Sequence, residues 1–132
     1  KKSVLEGVPK SLPAVIKAYR IQDKVAGVGF DWEQPTQVWE KVQEELSELN
    51  EEIKNNDQEN IEKEFGDVLF SMINYARFIN VNPENTLEKT NKKFIKRFQF
   101  LEKAAKKEGK KLTEMSLPEM DIFWNESKKF FR

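Results

Sequence analysis

Glycine and proline fall between the periodic segments of this chain, with Gly66 the one exception. Long uninterrupted stretches of helical periodicity leave little room for any architecture but helices. A first helix is expected to begin at Ser11 as N-cap and to run through Pro13–Ala26, with Val15, Ile16, Tyr19 and Ile21 as its apolar positions. A glycine-broken loop, Gly27–Trp32, carries Phe30 and Trp32. A second helix starts near Thr36 and reaches about Lys54, where Asn55-Asn56-Asp57 breaks it. A third covers about Gln58–Ile79. Asn82-Pro83, a cap followed by proline in the first helical position, opens a fourth that ends near Lys107, ahead of Gly109. Ser116-x-x-Glu119 is a capping box for a last helix over Leu117–Phe130. No segment shows the alternation of a hairpin. The expected fold is all-α, an antiparallel bundle of about five helices, with residues 1–10 as a tail or linker and 11–132 as one domain.

At 132 residues, with 38% hydrophobic and 35% charged, the chain can bury only a modest core. A second copy of itself is the expected means of completing it. Lysine plus arginine balance aspartate plus glutamate at 23 each, which argues against a general binder of nucleic acid polymers or membrane surfaces. No apolar run approaches transmembrane length, and Lys1-Lys2-Ser3-Val4-Leu5 lacks a signal peptide's apolar core. The cytoplasm is the expected compartment. Histidine and cysteine are both absent. That excludes the usual zinc sites, Ser-His and Cys-His couples, and thiol redox centres.

Hard oxygen ligands remain, in two clusters: Glu45-x-x-Glu48 and Glu64-x-x-Asp67. Paired carboxylates on neighbouring helices suit Mg²⁺ or Mn²⁺. In the second helix Val38, Val42, Leu46, Leu49 and Ile53 form one apolar stripe. Glu45 lies about 60° from its centre, Glu48 about 120° and Glu44 about 160°. In the third helix, Asp67 is the lone acidic or basic residue from Phe65 to Ala76, opposite a stripe of Ile61, Phe65, Leu69, Met72 and Ala76. A helix apolar on several sides is expected to be buried, and a buried carboxylate needs a cation. Glu64 stands one turn away to share it. An arginine such as Arg97 is the alternative partner for Asp67, and a solvated acidic face is the alternative reading of the Glu44–Glu48 run.

Asn91, Lys93 and Arg97 lie on the fourth helix, where Lys93 and Arg97 stack one turn apart beside Leu87, Phe94, Phe98 and Leu101. A point charge beside a planar fork suits polyphosphate, though a lysine-rich surface helix has the same composition. Phe30, Trp32, Phe123 and Trp124 fit packing at a core or dimer interface as well as base stacking.

The run VWEKVQEELSEL, then EFGDVLFSMINYAR, then NPENTLEKTNKKFIKRF, preceded by GFDW, resembles the MazG family, specifically the C-terminal catalytic half of its two-domain bacterial members. The likeness extends from about Leu12 to Trp124. The resemblance implies an all-α, homodimeric enzyme that hydrolyses a nucleoside triphosphate to the monophosphate and pyrophosphate with Mg²⁺. It further implies that Glu45, Glu48, Glu64 and Asp67 hold the metal, that Lys93 and Arg97 contact the phosphates and Trp124 the nucleotide, and that Lys41, Lys63 and Asn91 belong to the substrate site. The opening KKSVLEGVPKSLP resembles the connection between the halves of the two-domain proteins, so an excised domain is expected. The contrasting expectation is a helical dimerisation or interaction module with no catalytic role.

Overall fold

The computed structural model describes residues 2–132 and contains five α-helices: α1 (Ala14–Ala26), α2 (Pro35–Asn55), α3 (Gln58–Phe78), α4 (Pro83–Lys107) and α5 (Leu117–Ser127). One 3₁₀ turn, Leu112–Glu114, precedes α5. No strand occurs among the described residues. The all-helical expectation holds, and four of the five helices keep their expected starts to within a residue. The chain separates into two compact units, one ending at Glu84 and one covering Asn85–Arg132.

In the first unit, α2 and α3 pack along each other and α1 packs on α3. Asn56 ends α2 in the left-handed conformation, φ 55°, which asparagine tolerates because its short side chain bonds locally. Asp57 then caps α3 by accepting from the Asn60 amide at 3.2 Å. A link of two residues between packed helices makes an antiparallel hairpin. At the other end of α2, the Gln37 side chain accepts from the backbone amides of Glu33 and Gln34, both at 2.9 Å.

Two expectations about helix limits need correcting. The N-cap of α1 is Pro13, not Ser11. With Ser11 as cap, Leu12 would be the first helical residue, and a residue before proline is pushed out of the α region. The last helix stops at Ser127 instead of Phe130, and residues 128–130 form a turn.

Burial in α2 also departs from the expected stripe. Val38, Val42 and Glu45 are buried, while Leu46 and Ile53 are about half exposed. Positions 38, 42 and 45 follow one another at helical spacing, so the line that α2 covers is turned toward the acidic residue. In α3 the buried positions are Ser71, Ile73 and Ala76, whereas Phe65, Leu69, Phe70 and Met72 are exposed by 43–54%. The expectation that α3 is buried on several sides, with Asp67 inside, is therefore not met within one chain. Asp67 is exposed. The apolar periodicity is real, but part of it faces away from the hairpin.

The second unit has its own core of Leu101, Ala105, Met115 and Ser127. The capping box of α5 forms as expected, with Ser116 Oγ accepting from the Glu119 amide and Glu119 Oε1 accepting from the Ser116 amide at 3.0 Å. Phe94 tilts against Trp124 with ring centroids 5.1 Å apart, and Phe100 against Phe130 at 5.4 Å.

Candidate active site

The hairpin brings the two acidic clusters together. Glu45, Glu64 and Asp67 each offer a carboxylate oxygen, and the three oxygens lie within 4.8 Å of one another. Glu44, Glu45 and Glu48 form a second such triplet that shares Glu45. Glu44 does sit on the exposed side of α2, as the helical wheel requires, but its long side chain reaches back to this triplet.

Glu45 is the pivot of the cluster and is only 6% exposed. Its Oε1 accepts from Lys41 Nζ at 3.0 Å, and Lys41 also reaches Glu44 Oε1 at 3.3 Å. The bond to Glu45 is the main reason that the Lys41 ammonium is held above its usual pKa. Glu45 Oε2 and Glu64 Oε2 are buried and have no hydrogen-bond partner. Buried carboxylate oxygens left unpaired are expensive in an ion-free protein. Loss of hydration, followed by the charges of Glu48, Asp67 and Glu45, pushes the Glu64 carboxyl above the ordinary carboxylate range. A hard divalent cation would reverse each of these penalties, so this donor set fits Mg²⁺ or Mn²⁺. Glu48 belongs to the same field through its action on Glu64.

Beside the cluster is a cavity of about 630 Å³, within the size range of small-molecule pockets. Lys41, Glu45 and Asp67 form its charged side, and Ile21, Val25, Phe30, Trp32, Val38 and Phe70 supply apolar wall. Gln22, only 4% exposed, also lines it. Gln22 Nε2 donates to the Phe70 carbonyl at 2.9 Å, which leaves its buried Oε1 unpartnered. The loop Gly27–Trp32 is thus part of the pocket wall.

Arg77 was not among the residues that the sequence pattern singled out. It lines the same pocket, its side chain is 10% exposed, and it pairs with Asp23 of α1 and Asp31 of the loop, each at 3.0 Å. Burial works against its charge, but bonds to Asp31 and Asp23 outweigh that and hold its pKa above the usual value. One signal pointed to it: Arg77 is the only charged residue of α3 after Asp67.

Lys63 is not brought into the cluster. Its Nζ lies 3.8 Å from Glu59 Oε1, both side chains in solvent. In the second unit, Arg97 and Trp124 come together, with the guanidinium carbon 5.9 Å from the indole centroid. Arg97 Nε donates to the Phe131 carbonyl at 2.7 Å. Lys93 is half-buried and Asn91 exposed on α4.

Acidic oxygens gathered by a helical hairpin at the side of an apolar pocket define a helical protein with a cluster that could hold a metal ion. Residues 33–100 match the model of the MazG nucleotide pyrophosphohydrolase domain, and the chain belongs to that family. It is 44% identical over 117 residues to the nucleoside triphosphate pyrophosphohydrolase/pyrophosphatase MazG of Thermotoga maritima, covering 89% of this chain and 45% of that protein. It is 38% identical over 129 residues to the nucleoside triphosphate pyrophosphohydrolase of Escherichia coli, covering 96% and 49%. An uncharacterized protein of Bacillus subtilis, YabN, is 48% identical over 127 residues, covering 96% of this chain and 26% of its own length. The chain thus spans about half the length of the first two relatives.

Proposed function

We propose that this chain hydrolyses nucleoside triphosphates to the monophosphate and pyrophosphate with a divalent cation, Mg²⁺ or alternatively Mn²⁺, held by Glu45, Glu48, Glu64 and Asp67. The observation that carries this reading is the close approach of the Glu45, Glu64 and Asp67 oxygens, with buried Oε2 atoms of Glu45 and Glu64 left unpartnered. Family membership supports the same reading. When bound, the cation supplies charge neutralisation at phosphate oxygens and lowers the pKa of water for in-line attack.

The chain's own residues then have distinct tasks. Glu45 is oriented by Lys41, whose bond to Oε1 leaves Oε2 for the ion. The apolar wall takes the nucleoside and keeps bulk water from that end of the substrate. Lys93 and Arg97 are proposed as phosphate contacts, Trp124 as a nucleotide contact and Asn91 as a further residue of the substrate site, on the strength of the family resemblance. Lys41 lines the pocket and keeps its proposed place near the substrate; Lys63 would need to leave Glu59 to reach one. With no histidine or cysteine in the chain, direct attack of water is preferred to a covalent intermediate. The exposed apolar residues of α2 and α3, Leu46, Ile53, Phe65, Leu69 and Met72, favour a homodimer as the working unit.

Turnover in ¹⁸O-labelled water tests the reaction. Label is expected in the nucleoside monophosphate and not in the pyrophosphate, because attack falls on the α-phosphorus. Label in inorganic phosphate, or no turnover with any ribo- or deoxyribonucleoside triphosphate, would count against the proposal and favour a non-catalytic interaction module.

A further inference from the structure

We propose that Arg77 is the positioning residue of the nucleoside pocket, its guanidinium holding the Phe30–Trp32 loop and the Asn74 amide in the arrangement that receives the nucleoside. The proposal rests on the pyrophosphohydrolase reading for the identity of the ligand, and on the geometry of the pocket for everything else. Arg77 Nη2 donates to Asp31 Oδ2 at 3.0 Å and Nη1 to Asp31 Oδ1 at 3.3 Å, a two-point grip on the loop. Nε donates to Asp23 Oδ1 at 3.0 Å. Nη1 also donates to Asn74 Oδ1 at 2.6 Å. One planar fork therefore joins α1, the loop and α3, which a lysine's single point charge would not do.

Asp31 stands between Phe30 and Trp32, and all three line the cavity together with Asn74 and Arg77. Phe30 is 78% exposed, so packing does little to fix it. The chain reaches it through Gly29 at φ 92°, a conformation that glycine adopts without strain. Holding Asp31 fixes the backbone from which both rings project. The second consequence is chemical. A guanidinium only donates, so the oxygen of the Asn74 amide must face Arg77 and its Nδ2 is left as the donor end. The Phe70 carbonyl of α3 only accepts, so Gln22, on α1, presents Nε2 to it and keeps Oε1 without a partner. The apolar pocket is thus lined by an amide whose donor end Arg77 leaves available, a polar group of the kind that can discriminate among nucleosides. Arg77 sets the donor.

A purely architectural role would act through Asp23, which ties α1 to α3 and does not line the pocket. The test therefore compares Arg77→Lys, Asp31→Ala and Asp23→Ala. Steady-state kinetics with nucleoside triphosphate are read beside competition by inorganic tripolyphosphate, which has no nucleoside. Arg77→Lys and Asp31→Ala are expected to raise KM for the nucleotide about tenfold, the effect of losing one charge-assisted bond, with kcat and tripolyphosphate inhibition little changed. Asp23→Ala should leave KM where it was. An unchanged KM in Asp31→Ala, or an equal loss of tripolyphosphate affinity, overturns the proposal. Hydrogen exchange needs no turnover: the amides of residues 28–32 should exchange faster in Asp31→Ala while α3 keeps its protection, and unchanged loop exchange overturns the proposal as well. Absence of turnover in the wild type would instead strike the pyrophosphohydrolase reading, leaving the exchange comparison to decide on Arg77.

Discussion

Asp67 and Glu64 carry the most specific expectations, because each meets the acidic cluster in a different way. Asp67 is exposed, contributes one oxygen, and lies on a hairpin whose packing does not depend on it. Asp67→Asn should therefore abolish turnover while leaving the far-ultraviolet circular dichroism unchanged; near-normal pyrophosphate release would remove Asp67 from the site. Glu64 behaves differently. Its raised pKa means that the ion-free fold disfavours the charged carboxylate, so its contribution to stability is present below the ordinary carboxylate pKa and is lost as pH rises through the higher folded value. Glu64→Gln should accordingly raise the melting temperature of metal-free protein near neutral pH, and the gain should disappear as pH falls below the ordinary range. Saturating Mg²⁺ should reverse the order, favouring the wild type. A gain that is independent of pH would mean that neither loss of hydration nor the neighbouring charges raise the Glu64 carboxyl.

At the scale of elements, capping and periodicity made the helices legible. Ser116 and Glu119 are in the bonds their spacing announced, and Ser116→Ala should cost about 1 kcal/mol of stability in a denaturant titration. Glu119, held below its usual pKa by the Ser116 amide first and Lys110 among the lesser causes, adds stability above the ordinary carboxylate range that is lost as pH falls through its lowered value. What the pattern did not reveal was which part of an apolar stripe the hairpin itself covers. Periodicity reports that Leu46, Ile53, Phe65 and Leu69 prefer an apolar neighbour, without saying whether it belongs to the same chain. Burial of Glu45 was equally hidden, because it follows from the rotation of α2 against α3. Arg77 was out of reach for a related reason: its partners Asp23 and Asp31 lie 54 and 46 positions away. Such pairings come from tertiary packing, and local spacing says nothing about them.

At the scale of the whole molecule, an acidic hairpin and an apolar pocket lie in the first unit, whose helices also carry exposed apolar residues. If the proposed homodimer forms through these residues, Leu46→Lys or Leu69→Lys should shift it to monomer in sedimentation equilibrium, because a charge in a desolvated interface is strongly unfavourable. An unchanged dimer would place the interface elsewhere. The family likeness was legible from ordered motifs spread along nearly the whole chain, and the match over residues 33–100 agrees with it. The acidic pairs were legible too, since spacing of i, i+3 on adjacent helices is a local property. Lys63, placed near the substrate by the family resemblance and not by spacing, has its ammonium beside Glu59.

The claim on which the rest depends is that these carboxylates bind a divalent ion, and Mn²⁺ titration followed by electron paramagnetic resonance measures it without reference to substrate. Wild-type protein should bind Mn²⁺ saturably, Mg²⁺ should compete, and Glu45→Gln and Glu64→Gln should each weaken binding at least about tenfold, as loss of one charged ligand contact requires. Affinity for Mn²⁺ unaltered in both variants would contradict the account.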